Sequence, residues 1–345
     1  MLENANNPFN SEYDPSTIII ATPGYFLGKE SERLIIKKNR ETIAEIPLLD
    51  ISQILITSKG NTLSTTLINE MTKRGIKICI WAANMPNIVV SSPQLAAFVE
   101  AKRAQFKAYE NNIGVELMKA VIKSKINNQI NFLRYASKNN KRSIQYHTVM
   151  DKIVSLSRYS AEIDTLSGIN IDGVRQSILS LEAHASKAYW NCFGMLLKKY
   201  TFTGRNARGK VDVINAALNY SYAILYSIIW MSIMNAGLEP FAGFLHTDRP
   251  GKPSLVYDLS EPFKSRIVDK VILSIANKSK LEYADKRLTE FTRKNIATRI
   301  LDELNTRENY QGRKLLMRSI IQSNIYSVVS KLKGVGNYEP YSMKW

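Results

Sequence analysis

The stretch from Asn87 to Gln94, NIVVSSPQ, divides the chain. It opens on a β-branched run and closes on two serines and a proline, the composition of a linker after a strand. N-terminal to it, Thr17–Ala21, Arg33–Lys37, Thr42–Ile46, Ile51–Thr57 and Ile76–Trp81 are short β-branched-rich runs separated by turn residues. Lys38-Asn39-Arg40 stands where a hairpin turn belongs. One helix interrupts the strands: Leu63, Leu67, Ile68 and Met71 recur at helical spacing, and Gly75 is placed to end it. C-terminal to the divide, from Gln94 to about Lys331, the period is helical nearly throughout. The expectation is an α+β chain. A β-rich, sandwich-like region occupies residues 1–92, its first fifteen or so residues a polar arm, and an all-α region occupies 93–345.

The chain has 345 residues, of which 47 are Lys or Arg and 30 Asp or Glu, for a net charge of +17. Such an excess favours a polyanionic partner, with nucleic acid ahead of an anionic membrane; a basic enzyme acting on something else is the plainer alternative. Lys264–Lys333 alone carries 16 Lys/Arg against 7 Asp/Glu, so over half of the excess lies in about a fifth of the chain. Cys79 and Cys192 stand in apolar contexts and read as free buried thiols, which suits a reducing cytoplasm. The polar start, MLENANNPFNSEYDPS, has no apolar core of a secretory signal. The most apolar long run, Tyr220–Ala236, is broken by Ser221, Ser227, Ser232 and Asn235 and reads as a buried core helix, so no membrane partner is expected.

Chemistry concentrates in Gly243–Val268, GFLHTDRPGKPSLVYDLSEPFKSRIV. His246 ends an apolar run, a polar loop follows, Ser254–Tyr257 is strand-like, and Asp258 and Glu261 stand three residues apart. Far upstream, Glu182 shares the apolar stripe of a helix from about Ile171 to Tyr200, with Ile178, Leu181, Ala185, Ala188, Tyr189 and Cys192. His184 points nearly the opposite way and is a poor co-ligand. A carboxylate on that stripe is paired in a salt bridge or bound to a metal. Two carboxylates and one imidazole, from Glu182, Glu261 and His246, suit Mn²⁺ or Mg²⁺ better than zinc, and such sites serve phosphoryl transfer. The alternative is plain: Asp258 and Glu261 spaced as a capping box, with Pro262 near a helix start, and His246 an ordinary histidine. Around these residues, TFTGRNARGK from Thr201 brings Arg205, Arg208 and Lys210 into one loop. Asp212 is placed to cap a helix from Val213 to Ala236, ended by Gly237, on which Asn215, Asn219, Tyr222 and Tyr226 form a polar stripe. The helix Val115–Arg134 carries Lys119, Lys123, Lys125 and Arg134, which as a set suit a DNA surface.

Three segments carry a likeness to a known family: EAHASKAYW from Glu182, GRNARGKVDVINAALNYSYAIL from Gly204, and GFLHTDRPGKPSLVYDLSEPF from Gly243. They resemble the universal integrase-nuclease subunit of CRISPR adaptation, and KINNQ from Lys125 and the β-rich N-terminal layout agree. The likeness covers nearly the whole chain. It implies an N-terminal β domain used in dimerisation and a helical catalytic domain. It implies a metal-dependent DNA endonuclease and integrase that joins the 3′-hydroxyl of a prespacer to a CRISPR repeat by transesterification, with Mn²⁺ or Mg²⁺ as cofactor. The metal ligands fall on Glu182, His246 and Glu261, and Asp258 matches an acidic position that matters for activity. The partners are double-stranded DNA, a second copy in a homodimer, and a small ferredoxin-fold subunit; Arg205, Arg208, Lys210, Lys264 and Arg266 are the basic positions assigned to DNA. Val213 stands where many members have proline, and Lys264 where arginine is common. Two rivals stay open: a DNA-binding architectural subunit without chemistry, and an integrase of a mobile element built on the same domain.

Overall fold

A computed structural model describes residues 16–82, 85–90, 99–138, 143–206, 212–284 and 287–344. The N-terminal arm, the Ser91–Pro93 linker, Arg208 and Lys210 lie outside the described residues.

The N-terminal region contains two four-stranded sheets. In one, strands β2 (Tyr25–Glu30), β3 (Arg33–Lys38) and β4 (Glu41–Pro47) form an antiparallel meander, and β6 (Thr62–Leu63) runs parallel to β2. The hairpin expected at Lys38-Asn39-Arg40 is there, with Asn39 and Arg40 at φ of 51° and 71°. In the other sheet β1 (Ser16–Ile20), β5 (Ile51–Ile56) and β7 (Lys77–Ala82) are parallel, and β8 (Met85–Val90) pairs antiparallel with β7. Helix α1 (Thr65–Lys73) is capped by Ser64, and Gly75 follows it at φ +70°.

Alternation along the parallel strands explains the join to the rest of the molecule. Ile18, Ile20, Ile54, Ile56 and Ile78 face the other sheet and α1. Ile19, Ala21, Leu55 and Cys79 face the other way and share one core with the helices. A parallel sheet buried on both faces reads as an unbroken apolar run, as TIII and ILI do here.

The helical region comprises α2 (Val99–Tyr109), α3 (Asn112–Ser137), α4 (Ile144–Thr165), α5 (Ile171–Leu196), α6 (Val213–Asn235), α7 (Ser254–Ser260), α8 (Lys270–Lys278), α9 (Glu290–Leu304) and α10 (Met317–Leu332). It is not helical throughout: short hairpins β9–β10 (Tyr283–Ala284, Arg287–Leu288) and β11–β12 (Arg307–Tyr310, Arg313–Leu316) interrupt it. Gln311 and Gly312, both at positive φ, make the turn of the second. Helix α6 is the axis. It is long and apolar enough to cross a membrane, yet 78% of its most apolar window is buried inside the fold. Asp212 caps it as expected, accepting from the Asn215 N–H at 2.8 Å. Cys79 and Cys192 are buried and unbridged.

Candidate active site

Helix α5 starts after Asn170, whose side chain accepts the Gly173 N–H, and buries Ile178, Ala185, Tyr189 and Cys192. Glu182 lies on the flank of that stripe, half-buried rather than enclosed. Its Oε1 bonds the Lys125 ammonium of α3. His184 is exposed, contacts its own helix at Ser180 O and packs on the Tyr159 ring, so it takes no part.

Glu261 comes from an irregular helix. The Ser254–Tyr257 segment is helical, not extended, and begins α7. Pro262 then removes one donor from the ladder, and the chain tightens into a 3₁₀ turn over Glu261–Phe263 before widening into a π-helical stretch over Lys264–Asp269. The bonds record the change: Glu261 N–H reaches Asp258 O, three back, whereas Lys270 N–H reaches Ser265 O, five back. In consequence Glu261, Lys264 and Ser265 all border one cavity. Glu261 is 4% exposed and held by two ammoniums, Lys264 at 2.7 Å from Oε1 and Lys125 at 2.8 Å from Oε2. Burial opposes its ionisation, but the charges of Lys125, Lys264 and His246 outweigh burial and bring its carboxyl down to about 2.

Asp258 is not a helix cap. It sits inside α7, fully buried, and its carboxylate clamps the loop before it. Oδ2 accepts the N–H groups of Phe244 (2.7 Å) and Leu245 (3.0 Å); Oδ1 accepts that of His246 (3.1 Å) and lies 2.6 Å from His246 Nδ1. Arg175 holds the same loop by donating to Phe244 O. Gly243 is required there, because a Cβ would lie 2.6 Å from Ser254 Cβ and 3.0 Å from Asp258 Oδ2. Burial disfavours the His246 imidazolium, yet its bond to Asp258 prevails and raises its pKa. With Nδ1 committed to Asp258, Nε2 is the atom left for a ligand.

Two neighbouring cavities, of about 560 and 530 Å³, share Arg205, Tyr222, Tyr226 and Lys264 in their walls. Glu182 and Glu261 open onto the first, His246 onto the second. Arg205 is fixed by Asn215 (3.0 Å) and Asn219 (2.6 Å) and lies over the Tyr222 ring, so the polar stripe of α6 does line a polar cavity. The Lys264 ammonium lies 5.4 Å from the centres of both the Tyr222 and Tyr226 rings. Arg266 departs from its expected place on a DNA surface. It is buried, its Nε donates to Glu308 at 2.6 Å, its Nη2 to Thr306 at 3.0 Å, and its Nη1 pairs with Glu303.

The expected ligands thus form two pairs: Glu182 with Glu261 through Lys125, and His246 with Asp258. Among the described residues no three His, Cys, Asp or Glu side chains converge closely enough to share one ion. In kind, the donors fit a hard divalent cation: two carboxylates that already share a cation, and an imidazole nitrogen aimed by a carboxylate. Glu261 Oε2 lies 2.8 Å from the Lys125 ammonium and has no other polar partner among the described residues. Lys125 itself was not legible as a site residue when grouped with Lys119, Lys123 and Arg134. Lys119 donates to Leu166 O at 2.7 Å and Lys123 pairs with Asp164, whereas Lys125 is buried. Its spacing of four from Val121 and three from Ile122 put it on the apolar face, which was the available signal.

Comparison with known proteins identifies the family. A family model described as CRISPR associated protein Cas1 matches residues 18–304. The chain is 32% identical to the CRISPR-associated endonuclease Cas1 1 of Archaeoglobus fulgidus over 343 residues, covering 93% of this chain and 98% of that one. It is 33% identical to the protein of the same name from Francisella tularensis subsp. novicida over 335 residues, covering 95% and 99%. Among solved structures, a casposase bound to integration product superposes with a TM-score of 0.77 at 23% identity, covering 95% of this chain and 94% of the casposase, a likeness of fold. The two-sheet N-terminal region, the helical domain and the matches over nearly the full length agree, and this chain belongs to the CRISPR-associated protein Cas1 family.

Proposed function

We propose that the chain is a metal-dependent DNA endonuclease and integrase of CRISPR adaptation. The observation that carries this reading is the cavity where Glu182 and Glu261 share a cation beside the Asp258-oriented His246. The relatives' names, CRISPR-associated endonuclease, support it. Glu182, Glu261 and His246 Nε2 are the atoms that would hold Mn²⁺ or Mg²⁺. Such an ion, when bound, supplies Lewis acidity to a phosphodiester oxygen.

The residues do the rest. Lys264 and Arg205, fixed over tyrosine rings, face the shared wall of both cavities and offset phosphate charge. Asp258 holds the His246 ring against rotation. In the reaction, the 3′-oxygen of a prespacer end forms a new bond to a repeat phosphorus, the bond from that phosphorus to the repeat's own 3′-oxygen breaks, and the leaving oxygen takes up a proton in exchange for the one lost by the attacking hydroxyl. No covalent protein intermediate is required. Hydrolysis of branched DNA is the same displacement with water as the nucleophile.

Double-stranded DNA is the partner that the charge of +17 favours. A homodimer through the β region is supported by the exposed Phe26, Ile43 and Leu49. A small ferredoxin-fold subunit completes the assembly in this reading; a fold-related structure is titled Cas6-RT-Cas1--Cas2 complex. Free thiols suit the cytoplasm as its place of action.

The test is strand transfer of a labelled duplex into a repeat-bearing plasmid, with and without Mn²⁺. Metal-dependent insertion at repeat boundaries is expected. DNA binding without strand transfer would leave an architectural subunit, and insertion indifferent to the repeat would leave an integrase of a mobile element.

A further inference from the structure

Five buried side-chain polar atoms lack a hydrogen-bond partner among the described residues; Glu261 Oε2 is one of them but lies 2.8 Å from the Lys125 ammonium, whereas Gln129 Oε1 and Ser265 Oγ, with no such contact, belong to residues lining the cavity that Glu261 borders. Buried polar atoms are nearly always paired, and each orphan destabilises the fold unless something supplies the bond. Two together beside a carboxylate pair mark a place built for a guest.

The chemistry of the orphans narrows what the guest is. Gln129 Oε1 only accepts, and the Ser265 hydroxyl accepts as readily as it donates. A phosphate belongs with Lys264 and Arg205 in the same cavity wall, and at these two atoms it would meet acceptors. A hydrated divalent cation offers the reverse, because its bound waters donate outward. Mg²⁺ in particular keeps several waters when bound by one or two carboxylates.

Position agrees. Gln129 is one turn beyond Lys125 on α3, and Ser265 is four residues beyond Glu261 on the irregular helix. Lys125 and Glu261 touch at 2.8 Å. Gln129 and Ser265 therefore stand one turn along their helices from the two residues of that contact, and all four line the same cavity. Gln129 is 5% and Ser265 2% exposed, so bulk solvent reaches neither freely.

We infer that Gln129 and Ser265 are positioning residues for the hydration shell of a divalent cation that Glu182, Glu261 and His246 would hold; this rests on the metal-dependent reading above. Removing acceptors behind metal-bound water costs 10–100-fold in affinity at well-studied sites.

The experiment uses the full chain and Mn²⁺ as the probe. Affinity is read from the electron paramagnetic resonance signal of free Mn²⁺ and folding from thermal unfolding without metal. The double variant Gln129→Leu with Ser265→Ala is expected to bind Mn²⁺ about 10–100-fold more weakly, while its metal-free melting temperature stays level or rises, since unpaired polar atoms have been removed. Gln129→Glu, which supplies a stronger acceptor, is expected to tighten binding and, with Ser265→Ala alone, carries the test if the double variant does not fold. Mn²⁺ affinity unchanged within twofold in all three overturns the inference and leaves the pair as under-satisfied packing or the seat of an ordinary water. Glu182→Gln is the control: if wild type binds Mn²⁺ and this variant does not, the metal reading stands whatever Gln129 does. If wild type itself binds none, the metal reading has failed first.

Discussion

Lys264 and Arg266 stand two residues apart on one irregular helix, the first half-buried and the second buried, both against carboxylates, yet their surroundings differ. Arg266 meets Glu303, Glu308 and Thr306, with Lys270 adding a second cation to Glu303 at 2.9 Å. Tyr341 completes the cluster by donating to Glu308 at 2.7 Å. Every arm of the guanidinium is used, and none of these residues lines either of the two cavities. Lys264 and Lys125 meet Glu261 and Glu182 instead, beside orphaned acceptors and about 560 Å³ of space. Both clusters hold cations and carboxylates, so charge alone does not mark the site. Unused bonding capacity facing a void does.

The largest expected effect falls on the open cluster. Glu182→Ala, His246→Ala and Glu261→Ala should each abolish strand transfer, with the protein still folded by circular dichroism. Full activity in any one of them removes that residue from the site. Loss of Glu261 leaves Lys125 with Glu182, so collapse of the fold is not expected.

On the closed cluster the effect should be on stability. Arg266→Met leaves Glu303 and Glu308 facing a buried thioether, a loss of about 3–5 kcal/mol, measurable by urea unfolding. DNA affinity of the folded fraction should be unchanged. A selective loss of DNA binding at normal stability would erase the contrast and return Arg266 to the DNA surface.

Asp258 sharpens the comparison because it belongs to both kinds. It is fully satisfied, like the Arg266 cluster, but one of its bonds aims His246. Asp258→Asn turns one of two oxygens into a donor that faces N–H groups, a cost of about 1–3 kcal/mol. Misorientation of His246 should lower strand transfer about 10–100-fold. Thermal unfolding and strand-transfer rates on one preparation separate the two. Normal stability with lost activity would mean that the backbone clamp is dispensable.

The smallest effect tests a third buried cation with neither a carboxylate nor a cavity. Lys77 on β7 bonds Asn235 of α6, and burial pushes its pKa from 10.5 down to about 8. Between those values the unfolded chain binds more protons than the folded one, so stability rises with pH across that window. Lys77→Met should remove this rise and increase the melting temperature at pH 7 by on the order of 2 °C. An unaltered pH profile would show the ammonium to be solvated.

Much of the molecule was written in the sequence. Helix caps and periods are local, so α1, α5 and α6 were legible from Gly75, the Ile178–Tyr189 stripe and Asp212. The strand runs were legible for the same reason, and residue types with the family likeness singled out Glu182, His246, Asp258 and Glu261. What the chain alone did not determine was direction and company. Parallel pairing of β1, β5 and β7 depends on which faces are covered, and only the helical domain covers the Ile19 side. The strand-like Ser254–Tyr257 became helix because it packs on α6, a tertiary contact that overrides β-branched preference. Asp258 looked like a cap because spacing shows a carboxylate's position on its own helix. Its true partners, the N–H groups of Phe244 to His246, come from a loop that the fold brings alongside. Lys125 and Arg266 trade roles for the same reason: a lysine or arginine in sequence is a charge, and only packing decides whether it meets a closed set of partners or the wall of a cavity.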